Sequence, residues 1–248
     1  MKRPIAVLFL TLLLAAAAPP WAGSAAAEEK DKDSFAAQRR TMVEELRRRG
    51  ITKPEVLAAM EQVPRHLFVP ESVRAQAYSD NPLSLGDGRS IYQPYVVALM
   101  TSLLELKKGD KVLEVGTGTG YHAAVLSRIA REVYSMEIVQ TVASQASKKL
   151  SVLGYHNVEV LVGDGYQGSA ENGPFDAIIL SAAPTEIPKQ LFKQLRVGGR
   201  MVAPVGGFFQ DLLVITKAAD GLETRKVIPV RLSPMTGKVR DGKNDGKK

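Results

Sequence analysis

The stretch that decides the fold is KVLEVGTGTGY, residues 111–121. It begins with a short apolar run from Val112 to Val115, which indicates a buried parallel strand. Three glycines follow, and a helical pattern begins directly after them. Strand, glycine turn and helix in this order form the first half of a nucleotide-binding βαβ unit, because glycine permits a tight turn and a close approach of ligand to backbone.

The spacing of the glycines separates classes of nucleotide site. A dinucleotide fingerprint, G-x-G-x-x-G, would need its third glycine at the position of Tyr121. Instead an acid, Glu114, precedes three alternating glycines, which are Gly116, Gly118 and Gly120. This pattern resembles the first motif of S-adenosylmethionine (SAM) methyltransferases more than a NAD site. A site for another nucleotide and an ordinary glycine-rich turn are the alternatives.

Strands and helices alternate through the rest of the core. The sequence predicts strands over residues 111–115, 132–137, 157–162, 175–180, 199–205, 211–217 and 224–231. It predicts helices over residues 119–130, 139–152 and 187–195, with a short turn near 167–170. This alternation predicts an α/β fold with a doubly wound, mostly parallel seven-stranded sheet of the Rossmann-like type. The short Asp220-Gly221 connection predicts a hairpin near the C-terminus, so one strand there should run antiparallel.

The first 27 residues have the pattern of a secretory signal peptide. A basic start is followed by an uncharged run from Ile5 to Ala18 and by a small-residue cleavage site ending at Ala27. The run is shorter than the roughly 20 residues of a membrane-spanning helix. The pattern therefore predicts an exported, periplasmic protein, and an uncleaved N-terminal anchor is the alternative.

Three further parts follow the predicted leader. Residues 28–106 form a helical and loop extension, with helices predicted near 31–49, 55–62, 75–78 and 93–106. Within it, residues 83–92 are predicted to form an irregular glycine-rich loop, a candidate active-site lid because it directly precedes the nucleotide-binding core. Residues 107–237 form the predicted SAM-binding core. Residues 238–248 form a basic tail, which we interpret as a solvated end rather than a nucleic-acid arm.

Composition excludes several kinds of chemistry. The 248-residue chain has no cysteine, which excludes disulfides, thiol catalysis and Cys-ligated zinc. Its three histidines are scattered, so we expect no metal site. The net charge of +7 is concentrated partly in the tail and does not by itself indicate a nucleic-acid partner.

Two acids beyond the glycine turn are candidate ligands for a nucleoside. Glu137 ends the second core strand, where an acid in a doubly wound fold accepts hydrogen bonds from the ribose hydroxyls. Asp164 follows the third strand and would bind an adenine amino group, with a plain turn as the alternative. Asp176, at the start of the fourth strand, is interpreted as structural. Residues 195–206 are interpreted as a helix end, a glycine C-cap and a strand.

Segments on both sides of the glycine turn resemble the protein-L-isoaspartate (D-aspartate) O-methyltransferase family. They are VPRHLFVP at 63–70, GDGRSIYQP at 86–94, GDG at 163–165, residues 174–184 and VRLSPMTG at 230–237. The glycine motif is shared by many methyltransferases. The assignment to this family therefore depends on the lid segment and on the C-terminal segment.

The resemblance implies an enzyme that uses SAM to esterify the α-carboxylate of L-isoaspartyl and D-aspartyl residues in damaged proteins. The ester then closes to a succinimide, which partly reopens to normal aspartate. Such a carboxylate is already ionised at pH 7, with a pKa of about 4, so catalysis needs positioning rather than a strong base. Together with the glycine motif, the resemblance implies these cofactor-binding residues: Ser90, Ile91, Glu114, Gly116, Gly118, Thr119, Gly120, Glu137, Ile138, Asp164, Gly165 and Thr236.

One position departs from the family. The family's lid commonly reads Thr-Ile-Ser, and that serine is assigned as the active-site residue, whereas this chain has Ser90, Ile91 and Tyr92. Either the Tyr92 phenol reaches the substrate carboxylate from farther back, or Ser90 supplies the hydroxyl, or turnover is impaired. Tyr92 and Ser90 are therefore the candidate catalytic residues, and we expect activity to be retained.

Other functions and locations are alternatives. The chain would otherwise be a SAM methyltransferase for another substrate, or a SAM- or peptide-binding homologue with impaired catalysis. A nucleic-acid methyltransferase is disfavoured, because residues 181–184 read SAAP rather than an Asn/Asp-Pro-Pro-Tyr motif. The expected partners are isoaspartyl-containing proteins and peptides, with no nucleic acid, no stable membrane association after leader cleavage, and a monomeric state. The family usually works in the cytoplasm, which is the alternative to export.

Overall fold

The computed structural model describes residues 22–86 and 88–237. The first helix, α1 (Ala22–Arg48), contains the boundary between two compact units, Met1–Ala37 and Gln38–Lys248. Residues 1–21 of the predicted leader lie outside the described residues, as does the basic tail 238–248, and residues 22–27 begin α1. Among the described residues, none of the helices combines the length and apolar character that crossing a bilayer requires.

The second unit begins with short helices and a hairpin. Helices α2 (Pro54–Gln62) and α3 (Pro94–Leu104) both start with proline, whose missing N–H is no loss in a first turn. The prediction of an irregular loop over 83–92 was wrong, because strands β1 (Leu83–Gly86) and β2 (Arg89–Ile91) form an antiparallel hairpin. The predicted helix at 75–78 is a 3-10 helix at Glu71–Gln76, and another lies at Arg65–Phe68.

The core is a seven-stranded sheet, which confirms the predicted doubly wound α/β fold. Its strands are β3 (Lys111–Val115), β4 (Glu132–Glu137), β5 (Val158–Val162), β6 (Phe175–Leu180), β7 (Leu195–Gly206), β8 (Gln210–Lys217) and β9 (Leu222–Val230). The spatial order is β5-β4-β3-β6-β7-β8-β9, and the first five strands are parallel. Strand β8 is antiparallel to both neighbours, as the short connection before β9 predicted. The helices between the strands are α4 (Tyr121–Ser127), α5 (Gln140–Val152) and α6 (Lys189–Gln194), with a 3-10 turn at Ala170–Asn172.

Strand β7 begins earlier than its sequence suggested. It starts at Leu195, directly after α6, so the predicted glycine C-cap in this segment was wrong. Leu195 pairs with Phe175 and Arg200 with Ala177, which leaves residues 196–199 as a bulge opposite Asp176. The Asp176 carboxylate accepts the Lys111 N–H at 2.7 Å and also binds the Arg196 guanidinium. Asp176 therefore ties three strands together, in agreement with its interpretation as structural.

The order of the strands positions a ligand site. Strand β3 is the middle one of the five parallel strands, with β4 on one side and β6 on the other, so the chain reverses its winding direction next to β3. Open α/β sheets bind ligands at the carboxyl ends of the strands at such a switch point. Buried apolar side chains of β3, β6 and β7 pack around this point and make the support rigid; they include Leu113, Val115, Ile178, Leu180, Met201 and Ala203.

Candidate active site

A cavity of about 400 Å³ opens at the carboxyl ends of β3, β4 and β6, within the size range of small-molecule sites. Its walls come from the glycine turn, the end of β4, the β1–β2 hairpin and the segment after β9. Most of the residues predicted from the sequence line it, namely Ser90, Ile91, Tyr92, Glu114, Gly116, Gly118, Thr119, Glu137, Ile138, Gly165 and Thr236. The structure thus brings together segments that lie up to about 150 residues apart in sequence.

Two predicted residues, Gly120 and Asp164, do not line the cavity. Gly120 closes the glycine turn through its N–H, which donates to the Thr117 carbonyl at 2.9 Å, and its φ is +84°. Asp164 accepts the Tyr166 N–H at 2.9 Å and so stabilises the turn after β5. Both residues shape the turns that border the cavity, and a direct contact with a ligand stays a prediction for them.

The floor of the cavity requires glycine at two points. Gly116 has a φ of +102°, and a Cβ there would lie 3.4 Å from the Cβ of Ser181. At Gly165 a Cβ would lie only 2.3 Å from Cγ1 of Val115 and 2.9 Å from Cε of Met235. A side chain at Gly165 would force Val115 and Met235, which both line the cavity, to shift. At Gly116 the left-handed φ, and not a lack of space, disfavours any other residue.

Glu137 is held in a fixed orientation at the end of β4. Its carboxylate accepts the Gly118 N–H at 3.0 Å and the Val139 N–H at 3.1 Å. An ionised carboxylate has about four acceptor positions, so capacity is left for the two hydroxyls of a ribose. Ile138 and Val139 follow directly, and both are partly exposed apolar residues that line the cavity. A fixed acid beside an apolar surface suits a nucleoside, with its polar sugar and flat base.

Glu114 lies beneath the glycine turn, where its side chain is fully buried. One carboxylate oxygen accepts the Ser135 hydroxyl at 2.5 Å, and the other accepts the Ser181 hydroxyl at 3.2 Å. Burial raises the pKa of Glu114 to about 8, although the two hydroxyls lower it and the charge of Glu137 raises it further. Glu114 is therefore mostly protonated and uncharged at pH 7. It supports the turn and presents little surface to a ligand.

His122 completes the buried polar network on this side of the cavity. Burial lowers its pKa to about 3, so the imidazole is neutral. Its Nε2 lies 3.0 Å from the Thr101 hydroxyl, which itself donates to the Val97 carbonyl. Nε2 must then be the donor, so Nδ1 carries no proton. Nδ1 lies 3.4 Å from the Ser181 hydroxyl, whose single proton is shared between Nδ1 and Glu114. Within the described residues, no cluster of three or more His, Asp or Glu side chains is placed to hold a metal ion.

Tyr92 joins three segments at the rim of the cavity. Its hydroxyl donates to the Ser181 carbonyl at 2.8 Å and accepts the Ser233 N–H at 3.1 Å. Burial raises the pKa of the phenol, and its bonds to Ser233 oppose that shift. Because a phenol has a single proton, and the Ser181 carbonyl takes it, Tyr92 has none left to donate to a substrate carboxylate. The geometry identifies Tyr92 as a clasp between the hairpin, the exit of β6 and the C-terminal segment.

Ser90 is the other candidate for a substrate contact. It lies in β2, lines the cavity and is partly exposed. Its hydroxyl forms no hydrogen bond with the part of the chain that the structure describes. It is therefore available to a ligand, which the Tyr92 phenol is not.

Arg65, which no sequence pattern singled out, has a fully buried guanidinium that supports the same rim. Its Nε donates to the Ala77 carbonyl at 2.8 Å, and one terminal nitrogen donates to the Tyr92 carbonyl at 2.5 Å. The guanidinium also lies 4.7 Å from the ring centre of Tyr121, and burial lowers its pKa. The only sequence signal was an arginine in an apolar segment between two prolines. Other lining residues without an assigned role in the sequence analysis are Thr117, Met136, Ser181, Ser233 and Met235.

The fold and the cavity define the class of this protein as a nucleoside-binding α/β protein of the methyltransferase type. Comparison with known sequences narrows the class: the family model "Protein-L-isoaspartate(D-aspartate) O-methyltransferase (PCMT)" matches residues 37–240. A protein-L-isoaspartate O-methyltransferase of Picosynechococcus sp. is 48% identical over 202 residues, which cover 82% of this chain and 91% of the relative. A protein-L-isoaspartate O-methyltransferase of Cupriavidus necator is 47% identical over 219 residues, which cover 83% of this chain and 85% of the relative. The chain belongs to the protein-L-isoaspartate(D-aspartate) O-methyltransferase family.

Solved structures agree with this assignment. A protein-L-isoaspartate O-methyltransferase superposes with a TM-score of 0.75 at 30% identity, covering 80% of this chain and 66% of the other. A putative member from Plasmodium falciparum, solved in complex with S-adenosyl-L-homocysteine, gives a TM-score of 0.69 at 25% identity, covering 80% and 98%. The resemblance stated for the lid and C-terminal segments is therefore confirmed at the level of the family.

Proposed function

We propose that this protein is a SAM-dependent carboxyl methyltransferase that esterifies the α-carboxylate of L-isoaspartyl and D-aspartyl residues in damaged proteins. The observation that carries the proposal is the meeting of the two family-specific segments at one cavity. Ser90, Ile91 and Tyr92 line it from the hairpin, and residues 233–236 line it from the C-terminal segment. The Tyr92 hydroxyl joins the two segments through the Ser233 N–H.

The residues present fit SAM. Glu137 would hold the ribose, Ile138 and Val139 would contact the adenine, and the glycine turn would accommodate the amino-acid part. Gly165 borders this arrangement, and a side chain there would clash with Val115 and Met235, which also line the cavity. Bound SAM supplies a methyl group on a positively charged sulfur.

The chain's own contribution is to position the substrate against a wall that carries little charge. The substrate carboxylate is an anion at pH 7 and would be repelled by a second anion nearby. Glu114 is largely protonated and His122 is neutral, so the wall beneath the turn holds little charge against the incoming carboxylate. The Ser90 hydroxyl then donates a hydrogen bond to one carboxylate oxygen, and the hairpin excludes water from the reaction. Because the nucleophile is already ionised, no side chain has to remove a proton.

A radiolabelled methyl assay tests the proposal directly. The purified protein, SAM with a labelled methyl group and a short isoaspartyl peptide should yield a base-labile methyl ester. The matched control is the same peptide with normal aspartate, which should take up no label. Heat of SAM binding without any label transfer would refute the methyltransferase function and support a binding homologue. Transfer to both peptides would refute the specificity for isoaspartate.

We propose in addition that residues 1–27 direct export and that the mature enzyme works as a monomer in the periplasm. The basic start, the short apolar run and the small-residue site support export. Fractionation of the producing cells followed by N-terminal sequencing tests this, with Glu28 expected as the first residue of the mature protein. An intact Met1 on cytosolic protein would contradict export.

A further inference from the structure

The turn between β7 and β8 carries two phenylalanines in water. Phe208 is 75% exposed and Phe209 is 86% exposed, and their rings form an edge-to-face pair with centres 5.1 Å apart. The reversal of the chain depends on Gly206, whose φ is +135° and whose Cβ would lie 2.1 Å from the Phe209 carbonyl oxygen. It does not depend on the phenyl rings. The fold therefore gives no reason for two large apolar side chains at this tip.

This turn lies at the edge of the sheet that holds the cavity. Strand β7 runs parallel to β6, so its end at Gly206 points the same way as the carboxyl end of β6. The Gly206 N–H donates to the Pro184 carbonyl at 3.0 Å, and Ser181 and Ala182, at the exit of β6, line the cavity. The aromatic turn and the cavity rim thus share one connecting segment.

Gln210 fixes the turn to the C-terminal wall of the cavity. Its buried side chain accepts the Leu232 N–H at 2.7 Å and donates to the Leu232 carbonyl at 3.0 Å. The next residue, Ser233, lines the cavity and donates its N–H to Tyr92. The turn is therefore held in place by the same rim that surrounds the proposed reaction site.

A cation stands beside the exposed rings. The Arg231 guanidinium lies 5.3 Å from the ring centre of Phe208. Arg231 is two residues from Ser233, which corresponds to about 7 Å of extended chain. A peptide that leaves the cavity beside Ser233 would therefore reach the rings within roughly two to four extended residues.

We propose that Phe208, Phe209 and Arg231 form a docking surface for the polypeptide that flanks the modified aspartyl residue. The inference rests on the proposed function. When an isoaspartyl residue within a polypeptide occupies the cavity, the chain on both sides of it must leave over the rim. The cavity also has to hold SAM, so little of its volume remains for flanking residues. The surface binds an apolar or aromatic side chain two to four residues from the isoaspartate, and an acidic neighbour of that side chain pairs with Arg231.

The test compares three isoaspartyl peptides of equal length. One has leucine or phenylalanine two to four residues from the isoaspartate, one has serine there, and a minimal peptide has only glycine and serine around it. With the unmodified protein, KM should be about 5- to 10-fold lower for the apolar peptide than for the serine peptide, the factor expected for one partly buried aromatic contact. The double variant Phe208→Ser with Phe209→Ser should lose this difference.

The matched control is Leu222→Ser, which removes a partly exposed apolar side chain from the opposite edge of the sheet. It should keep the KM difference. In the double variant, kcat for the minimal peptide, SAM affinity and melting temperature should equal those of the unmodified protein. Replacing both phenylalanines by leucine should restore part of the preference for the apolar peptide.

Each other outcome has a distinct meaning. Equal KM values for all three peptides with the unmodified protein would overturn the docking surface and leave the methyltransferase function intact. Unchanged KM values in the double variant, together with lost binding to anionic lipid vesicles, would assign the surface to a membrane instead. No methylation of any of the three peptides by the unmodified protein would refute the proposed function, and the docking surface with it.

Discussion

Tyr92→Phe removes one oxygen atom that joins three segments of the rim. The Ser181 carbonyl loses a donor and the Ser233 N–H loses an acceptor. An unpaired buried polar group costs about 1–3 kcal/mol, and because both hydrogen bonds are only partly buried the loss is about 2 kcal/mol for the two groups together. For a domain of this size, that corresponds to a melting temperature lower by about 4–8 °C. Thermal unfolding followed by circular dichroism measures it.

The kinetics of Tyr92→Phe distinguish two roles for Tyr92, a clasp between segments of the rim and a direct hydrogen-bond donor to the substrate. A loosened rim should raise KM for the peptide and lower methylation, whereas kcat at saturating peptide should change less. Ser90→Ala is the matched comparison, because its hydroxyl has no partner in the described part of the chain. It should leave the melting temperature unchanged and lower kcat/KM about 10- to 100-fold, the effect of losing one hydrogen bond to a charged group. An unchanged melting temperature for Tyr92→Phe would refute the clasp, and an unchanged kcat/KM for Ser90→Ala would exclude its hydroxyl.

Three further predictions concern the floor of the cavity. Burial holds the pKa of Glu114 at about 8 in the folded protein, against 4.5 for an ordinary glutamate, so its contribution to stability is fully present below pH 4.5 and is lost as pH rises through 8. The free energy of unfolding, measured with urea, should fall by up to about 1.4 kcal/mol per pH unit between pH 4.5 and 8. Glu114→Gln should remove this dependence on pH. An equal dependence in the variant and the unmodified protein would contradict a buried neutral Glu114. Glu137→Gln should raise the Kd for SAM about 10- to 100-fold by calorimetry, whereas Glu132→Gln at the other end of β4 should not; equal effects would refute the ribose role. Gly165→Ala, which places a Cβ 2.3 Å from Cγ1 of Val115, should have a lower melting temperature than Gly118→Ala, where a Cβ meets open space and only the left-handed φ causes strain. The reverse order of melting temperatures would contradict the close packing around Gly165.

The central sheet was predictable because its signals are local. Buried parallel strands are continuous apolar runs, and the glycine turn after β3 has a single structural interpretation. The β1–β2 hairpin was missed because strands of four and three residues are too short for a period of two to be seen. The start of β7 was missed because the glycines at 198 and 199, taken for a helix end, lie in a bulge within the strand.

The site was predictable only in part, because a position in sequence does not give the direction of a side chain. Glu137 lines the cavity with an exposed carboxylate as expected, whereas Glu114 borders it with a fully buried side chain and Asp164 bonds within its own turn. The bond from Tyr92 to Ser233 spans 141 residues, and that from Arg65 to Tyr92 spans 27. No local pattern encodes such pairs, so the function of Tyr92 as a clasp became visible only in three dimensions.

Arg65 connects the part of the cavity proposed to bind SAM with the hairpin proposed to contact the substrate. Its guanidinium stays charged at every physiological pH, and its planar group leaves little freedom to absorb movement. On one side it lies over the ring of Tyr121, which lines the cavity directly after the glycine turn. On the other side it donates a hydrogen bond to the Tyr92 carbonyl at the base of the hairpin. A shift of the Tyr121 ring on SAM binding would therefore pass through Arg65 to the hairpin. We expect SAM to bind before the damaged protein, so that the hairpin receives the substrate in its adjusted position.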